Sequence, residues 1–178
     1  MSSIVLNGDT SGSVTLSPPA VAGTQTVTLP VASGVLQVSG NQPAFSVYKS
    51  STQALTSGVY TKVTWSTAVF DTNSNFSIAN SRFTPTVAGY YQINYTVNLN
   101  GNVPPTSAFT GLYKNGSQFY NFPQVVATTV YAVAGSALIY LNGSTDYVEV
   151  YVQTSSATCS IYGDATNTWF NGSLVRSA

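Results

Sequence analysis

Acid–base chemistry would have to come from very few side chains. The carboxylates are Asp9, Asp71, Asp146, Glu149 and Asp164, and there is no histidine. A triad, an imidazole metal ligand and a pH switch near neutrality are therefore excluded. Glycoside hydrolysis needs two carboxyls facing each other across a cleft. Asp146 and Glu149 are three residues apart in a predicted strand and so point to opposite faces. Asp146 follows "NGS", which suits a turn residue. "GDTSGS" and "YGD" lack the lysine and the strand–helix setting of a phosphate loop. A single cysteine, Cys159, permits no disulfide within the chain and reads as a small hydrophobe in a strand. These residues point to a protein that is not an enzyme and uses no cofactor and no metal.

The rest of the composition agrees. Only 6% of the 178 residues are charged and the net charge is zero, against about 25% charged in an ordinary soluble domain. Polarity comes instead from 47 Ser and Thr. A neutral surface offers nothing to attract nucleic acid or an anionic membrane. No run of 18 apolar residues is present, so no membrane span is expected. "MSSIVLNGDTSGS" lacks a basic segment followed by an apolar run, so no signal peptide is expected. Sequons begin at Asn75, Asn94, Asn115, Asn142 and Asn171; with 14 Asn and this much Ser and Thr, about four arise by chance.

Two regions differ in texture. From Thr10 to Tyr48 no residue is charged, and "VTL" occurs at 14–16 and 27–29, each copy followed closely by proline. Val14/Leu16, Val27/Leu29 and Val35 are apolar pairs or singles at strand spacing, too short to fold alone. Residues 1–42 therefore read as an extended, β-rich attachment arm that orders on other chains, with Val14, Leu16, Val27 and Leu29 as its contacts. Residues 43–178 read as an all-β sandwich. Strands are expected at 44–49, 59–65, 109–114, 129–141, 146–152, 158–163 and 171–176. Turns are expected at "KNG" (114–116), "LNG" (141–143) and "FNG" (170–172). No helical period is sustained, so no long helix is expected.

The stretch "RFTPTVAGYYQINYTV" (82–97) carries a corner from Pro85 to Gly89 and then a strand. Tyr91, Ile93, Tyr95 and Val97 share a core face; Tyr90, Gln92, Asn94 and Thr96 share the other. That second face is polar yet aromatic, which suits a partner surface, because tyrosine buries a ring and keeps a hydroxyl. Tyr90, Gln92 and Tyr151 are the candidate subunit contacts.

In chain order stand Phe70-Asp71, Phe83, Pro85, Gly89, Tyr90-Tyr91 and Ile93. "GLYKNG" (111–116), "YLNGSTDYVEVYV" (140–152) and finally Phe170, Gly172 and Leu174 follow. This series resembles the globular head of complement component one q, in the tumour necrosis factor-like superfamily, over residues 43–178. The resemblance implies a ten-stranded jelly roll that forms a tight homotrimer. Some members of the family bind calcium through loop carboxylates; Asp71 and Asp164 are the only candidates here, and no calcium is expected. A Gly-X-Y stalk is missing. In its place, "GDTSGSVTLSPPAVAGTQTVTLP" is similar to segments of tailed-bacteriophage structural proteins. The expected function is therefore a homotrimeric capsid decoration (cement) protein. It would be assembled in the host bacterial cytoplasm and displayed on the virion surface, with its arm bound to the major capsid protein or another virion protein. The alternative is a tail-fibre or receptor-binding module whose partner is a host-surface glycan or protein, and a bacterial cell-surface adhesive trimer stands third. An arm of about 40 residues spans roughly 130 Å when fully extended, enough to lace a shell and short for a fibre.

Overall fold

The structure is a computed structural model that describes residues 4–17, 20–21, 23–24, 26, 38, 40, 42–101, 107–126, 132–156 and 158–178. The chain divides into two compact units, Met1–Gly34 and Val35–Ala178.

In the first unit, β1 (Ile4–Asn7) and β2 (Ser13–Leu16) pair antiparallel, with Ile4 opposite Leu16 and Leu6 opposite Val14. Residues 14–16 form the strand expected of them, but the chain here doubles back as a hairpin instead of running extended. The intervening residues favour that return: Gly12 takes φ 77° and its carbonyl accepts from the Gly8 amide at 2.9 Å. The pleat places Ile4, Leu6, Val14 and Leu16 on one face, and all four are more than half exposed. Val27, Leu29 and Val35 lie outside the described residues.

The second unit is a sandwich of two antiparallel sheets, the expected all-β jelly roll, and no α-helix occurs among the described residues. Its strands are β3 (Ala44–Tyr48), β4 (Gln53–Ala54), β5 (Thr61–Lys62), β6 (Thr67–Asp71), β7 (Phe76–Ser77), β8 (Arg82–Phe83) and β9 (Gly89–Gly101). They continue with β10 (Ser107–Lys114), β11 (Ser117–Val126), β12 (Ala132–Leu141), β13 (Val148–Thr154), β14 (Cys159–Ile161) and β15 (Trp169–Ser177). One sheet runs β4-β14-β9-β15-β3-β6, with β12 on β9; the other runs β11-β10-β13-β8-β7, with β5 on β13.

Alternation decides which side chains meet between the sheets. Tyr91, Ile93, Tyr95 and Val97 of β9 are at most 1% exposed, as their spacing predicts. They pack with Phe45, Phe170 and Ile139 of the same sheet, and with Phe83, Leu112, Val148, Val150 and Val152 of the other. The Tyr91 hydroxyl donates to Val87 O at 2.6 Å and so ties the Pro85–Gly89 corner to the strand that follows it.

Two of the three expected Asn-Gly turns form. Asn115 (φ 54°) and Gly116 (φ 77°) make the two-residue connection between β10 and β11. Gly143 (φ 71°) turns the chain after β12. The "FNG" turn is not formed: Asn171-Gly172 lies inside β15, opposite Asn94-Ile93 and Ser46-Phe45. Gly172 is needed there for space, since a Cβ would press on the Ile93 and Phe45 side chains. Of the strand expected over 59–65, only Thr61–Lys62 is a ladder segment. β6 and β11 were not foreseen; Pro123 and the lack of alternation in "SQFYNFPQVV" disguise the latter.

Gly143 carries a testable demand. Its φ is left-handed, and a Cβ would collide with backbone atoms of Val87 and Ala88, which cannot give way cheaply. Gly143→Ala is expected to cost about 2–4 kcal/mol from strain and overpacking together. Urea unfolding measures it, and a loss below about 1 kcal/mol would mean the turn rearranges freely.

Candidate assembly surface

The outward face of the β9-containing sheet carries the richest set of exposed groups. β9 supplies Tyr90, Gln92, Asn94 and Thr96, whose neighbours in sequence fill the core. Register sets Tyr140 of β12 opposite Tyr90, Leu138 opposite Gln92 and Ser136 opposite Asn94. On the other side, Asn171 of β15 lies opposite Asn94, Trp169 opposite Thr96, and Ser46 of β3 opposite Asn171. Phe70 of β6 continues that row beyond Ser46.

Tyr90, Leu138, Tyr140 and Phe70 are 41–51% exposed. The Tyr90 and Tyr140 rings meet edge to face with centroids 5.5 Å apart. Lys114 Nζ lies 5.8 Å from the Tyr140 ring and 6.0 Å from that of Phe119, and Phe119 and Tyr120 are themselves exposed on β11. Below this aromatic end, polar side chains are joined across three strands. Gln92 Nε2 donates to Ser136 Oγ (2.9 Å) and Asn94 Oδ1 (3.1 Å), Ser136 Oγ to Asn94 Oδ1 (2.8 Å), and Asn94 Nδ2 to Asn171 Oδ1 (3.2 Å). A depression flanks this row on each side. One, of about 510 Å³, is lined by Tyr95, Phe122, Ala134, Gly135 and Trp169; the other, of about 200 Å³, by Ala44, Phe45, Phe70 and Ser173.

Of the three candidate contacts, this face brings together Tyr90 and Gln92. Tyr151 lies on β13 in the other sheet, on that sheet's outward face. Its ring stacks on Tyr113 at 3.9 Å, Tyr60 lies 6.3 Å from Tyr113, and the Tyr60 hydroxyl donates to Asn121 Oδ1 at 3.0 Å. Val14 and Leu16 are exposed on the hairpin in the first unit. Sequence reasoning missed Tyr140, Leu138, Ser136, Trp169 and Asn171, because no local signal marks them; only strand register gathers them.

Four of the five carboxylates have structural duties. Asp71 accepts from the Asn75 and Phe76 amides and so closes the loop after β6. Asp164 accepts from Thr166 and Asn167, and these bonds hold its carboxyl below the usual range. Asp146 is the turn residue expected of it: it accepts from Asn115 Nδ2 at 2.7 Å and from the Asn142 amide, and pairs with Lys114 at 2.8 Å. Glu149 pairs with Lys62. Among the described residues, no three His, Cys, Asp or Glu side chains gather where they could hold a metal. No helix there is long and apolar enough to cross a membrane. Cys159 is buried and burial pushes its thiol up, away from nucleophilic reactivity.

Against known proteins, the family model of the C1q domain matches residues 44–175, most of the chain. The chain belongs to the C1q domain family. Solved structures share the fold of this C1q domain. The globular domain of zebrafish complement 1qA protein is 20% identical with a TM-score of 0.56, over 77% of this chain and 99% of that one. Murine APRIL at pH 8.5 is 11% identical with a TM-score of 0.56, over 75% and 99%. No curated protein matches. C1q domains are typically binding modules, not enzymes.

Proposed function

We propose that this C1q domain is a homotrimeric assembly module of a tailed-phage virion, a capsid decoration protein that stabilises the head shell. The carrying observation is the paired surface: an aromatic sheet face around Tyr90 and Tyr140, and a separate hairpin whose aliphatic face is open. The sheet face supports a trimer, the assembly that C1q and tumour necrosis factor homologues form. Its aromatics suit the buried centre of an interface. Ile4, Leu6, Val14 and Leu16 support attachment, because a lone two-stranded hairpin is marginal without a partner. The partner would be the major capsid protein or a neighbouring virion protein, bound through apolar contacts and a free strand edge.

Light scattering of the purified chain should give three times its 18.7 kDa mass, at low and high salt alike. Removing residues 1–40 should leave that trimer intact and abolish binding to particles. Virions should hold hundreds of copies by quantitative mass spectrometry, and particles lacking the protein should burst at lower temperature, since binding to the intact shell stabilises it by mass action. A monomer, or a truncated chain that still binds particles, defeats the reading.

One observation favours the tail-fibre alternative. Tyr60, Tyr113 and Tyr151, with Asn121 and the neutralised Lys62–Glu149 pair nearby, make an uncharged aromatic patch suited to a glycan. A few tens of copies per virion, with adsorption lost and heat stability kept in particles lacking the protein, would select it.

A further inference from the structure

The sheet that holds β10 and β13 turns an unusual face outward. Its outward ladder positions on β5, β8, β10 and β13 carry no aliphatic side chain, because the aliphatic residues of these strands fill the core. Gly111 shapes the middle of this face. It lies opposite Tyr151 on β13 and opposite Asn121 on β11. A Cβ there would stand 2.9 Å from Tyr113 Cε2, so the glycine leaves the room in which the Tyr113 ring lies stacked on Tyr151. Tyr60, which precedes β5, donates to Asn121 Oδ1 with β13 and β10 between their strands, and Asn121 Nδ2 stays open.

Beside these rings stands a cation without a counter-ion. The Val148–Phe83 pairing lays Arg82 alongside β13, and its guanidinium carbon is 4.4 Å from the centre of the Tyr147 ring. Glu149, between Tyr147 and Tyr151, is buried and committed to Lys62. The other ion pair among the described residues is Lys114–Asp146. Arg82 therefore leaves this face with one positive charge in excess.

We infer that this face binds a carboxylate-bearing sugar unit of an acidic polysaccharide. Arg82 takes the carboxylate through its fork of donors, the Tyr60, Tyr113 and Tyr151 rings take the C–H faces of the sugars, and Asn121 takes a hydroxyl. The inference rests on the glycan reading of the tyrosine patch and deepens it by naming the sugar class through charge complementarity. Nucleic acid also offers rings to stack on, but it carries a charge on every nucleotide, and a single free cation neutralises too little of it. The centre of a protein–protein interface is depleted in charge, whereas here Lys62, Glu149 and Arg82 stand among the rings.

Calorimetry on the full-length protein tests this with hyaluronate, oligogalacturonate and sialyllactose, each beside its methyl ester, and with oligothymidylate. At least one acid should bind about tenfold or more tighter than its ester, the difference a charged hydrogen bond makes, and that advantage should shrink with added salt. Arg82→Gln should bring the acid to the level of the ester. Arg176→Gln removes the same charge from an exposed position on β15 and should bind as wild type does. Tyr151→Ala should weaken acid and ester alike by about tenfold, while Tyr151→Phe, which keeps the ring, should not. Equal damage from Arg82→Gln and Arg176→Gln would reduce the effect to net charge and overturn the inference. Tighter binding of oligothymidylate through these residues would overturn it in favour of nucleic acid. Acid and ester bound equally well would leave the glycan reading standing and overturn the inference alone; no binding of any sugar at millimolar concentration would defeat both.

Discussion

Phe45→Ala should lower the unfolding free energy by about 3–5 kcal/mol, the range for deleting a large aromatic from a packed core. Phe45 is fully buried on β3 and touches both sheets. Its ring stacks on Phe83 of the facing sheet at 4.3 Å and on Phe76 at 5.1 Å, and it meets the edge of Phe170 at 4.9 Å. No neighbour can move in, because these rings are held on strands of opposed sheets. The void therefore persists and the full cavity cost is felt. The denaturant midpoint should fall with an unchanged slope. Val59→Ala, at a half-exposed site, should stay within about 0.5 kcal/mol. A Phe45→Ala loss below about 1.5 kcal/mol would mean that the two sheets slide together and repack.

The second large effect is on pH dependence. Stability should be level, or rise slightly, from about pH 5 to pH 9, and fall steeply above pH 10. Without histidine, no side chain has its ordinary titration in the middle of that interval. On the alkaline side, burial pushes the Tyr91 phenol up to about 12 and drives Tyr95 upward as well. The folded state holds those protons after the unfolded chain has lost them. Their contribution is thus complete below pH 10 and drains as pH rises through the folded values. Cys159, raised by burial, acts in the same direction from about pH 9.

Lys49 acts oppositely. Burial lowers its pKa, and its ammonium donates to Thr64 O and Oγ1, so folding gains as pH rises through the window below 10.5. One lysine does not offset two tyrosines and a thiol. At the acid end, burial alone would raise the Asp146 carboxyl, but bonds from Asn115, Lys114 and the Asn142 amide outweigh it and bring it down. That contribution is present above about pH 4 and is lost as pH falls through the depressed folded value. Thermal melts across pH 3–12 would display the profile; a step between pH 5 and pH 9 would contradict it.

Strand parity made half of the molecule readable. Tyr91, Ile93, Tyr95 and Val97 declare a core face from their spacing, and Lys114-Asn115-Gly116 declares its hairpin because both turn residues accept positive φ. Parity is silent about which sheet a strand joins. Tyr90 and Tyr151 look alike in sequence, yet they stand on different sheets. The polar row is illegible for the same reason: Asn94 meets Ser136 and Asn171 across separations of 42 and 77 residues. Asn171-Gly172 misleads outright, since glycine serves there to admit Ile93 and Phe45, not to turn the chain. The β1–β2 hairpin escapes notice because Ile4–Asn7 lacks the alternation that marks Val14 and Leu16.

The connection from β12 to β13 has an implication for how the surface can diversify. Within residues 142–147, the Asn142, Ser144, Thr145, Asp146 and Tyr147 amides all donate to side chains of Asp146, Asn142 or Asn115, and Asn115 is itself the β10–β11 turn. Two loops that would ordinarily be free to drift are thereby locked into one polar knot beside Lys114. An insertion in either would break bonds in both, so this end of the domain is a poor place to graft new sequence. Descendants of this chain that acquire new partners would have to vary the side chains on the open sheet faces, where a residue can change without pulling on the backbone beneath it.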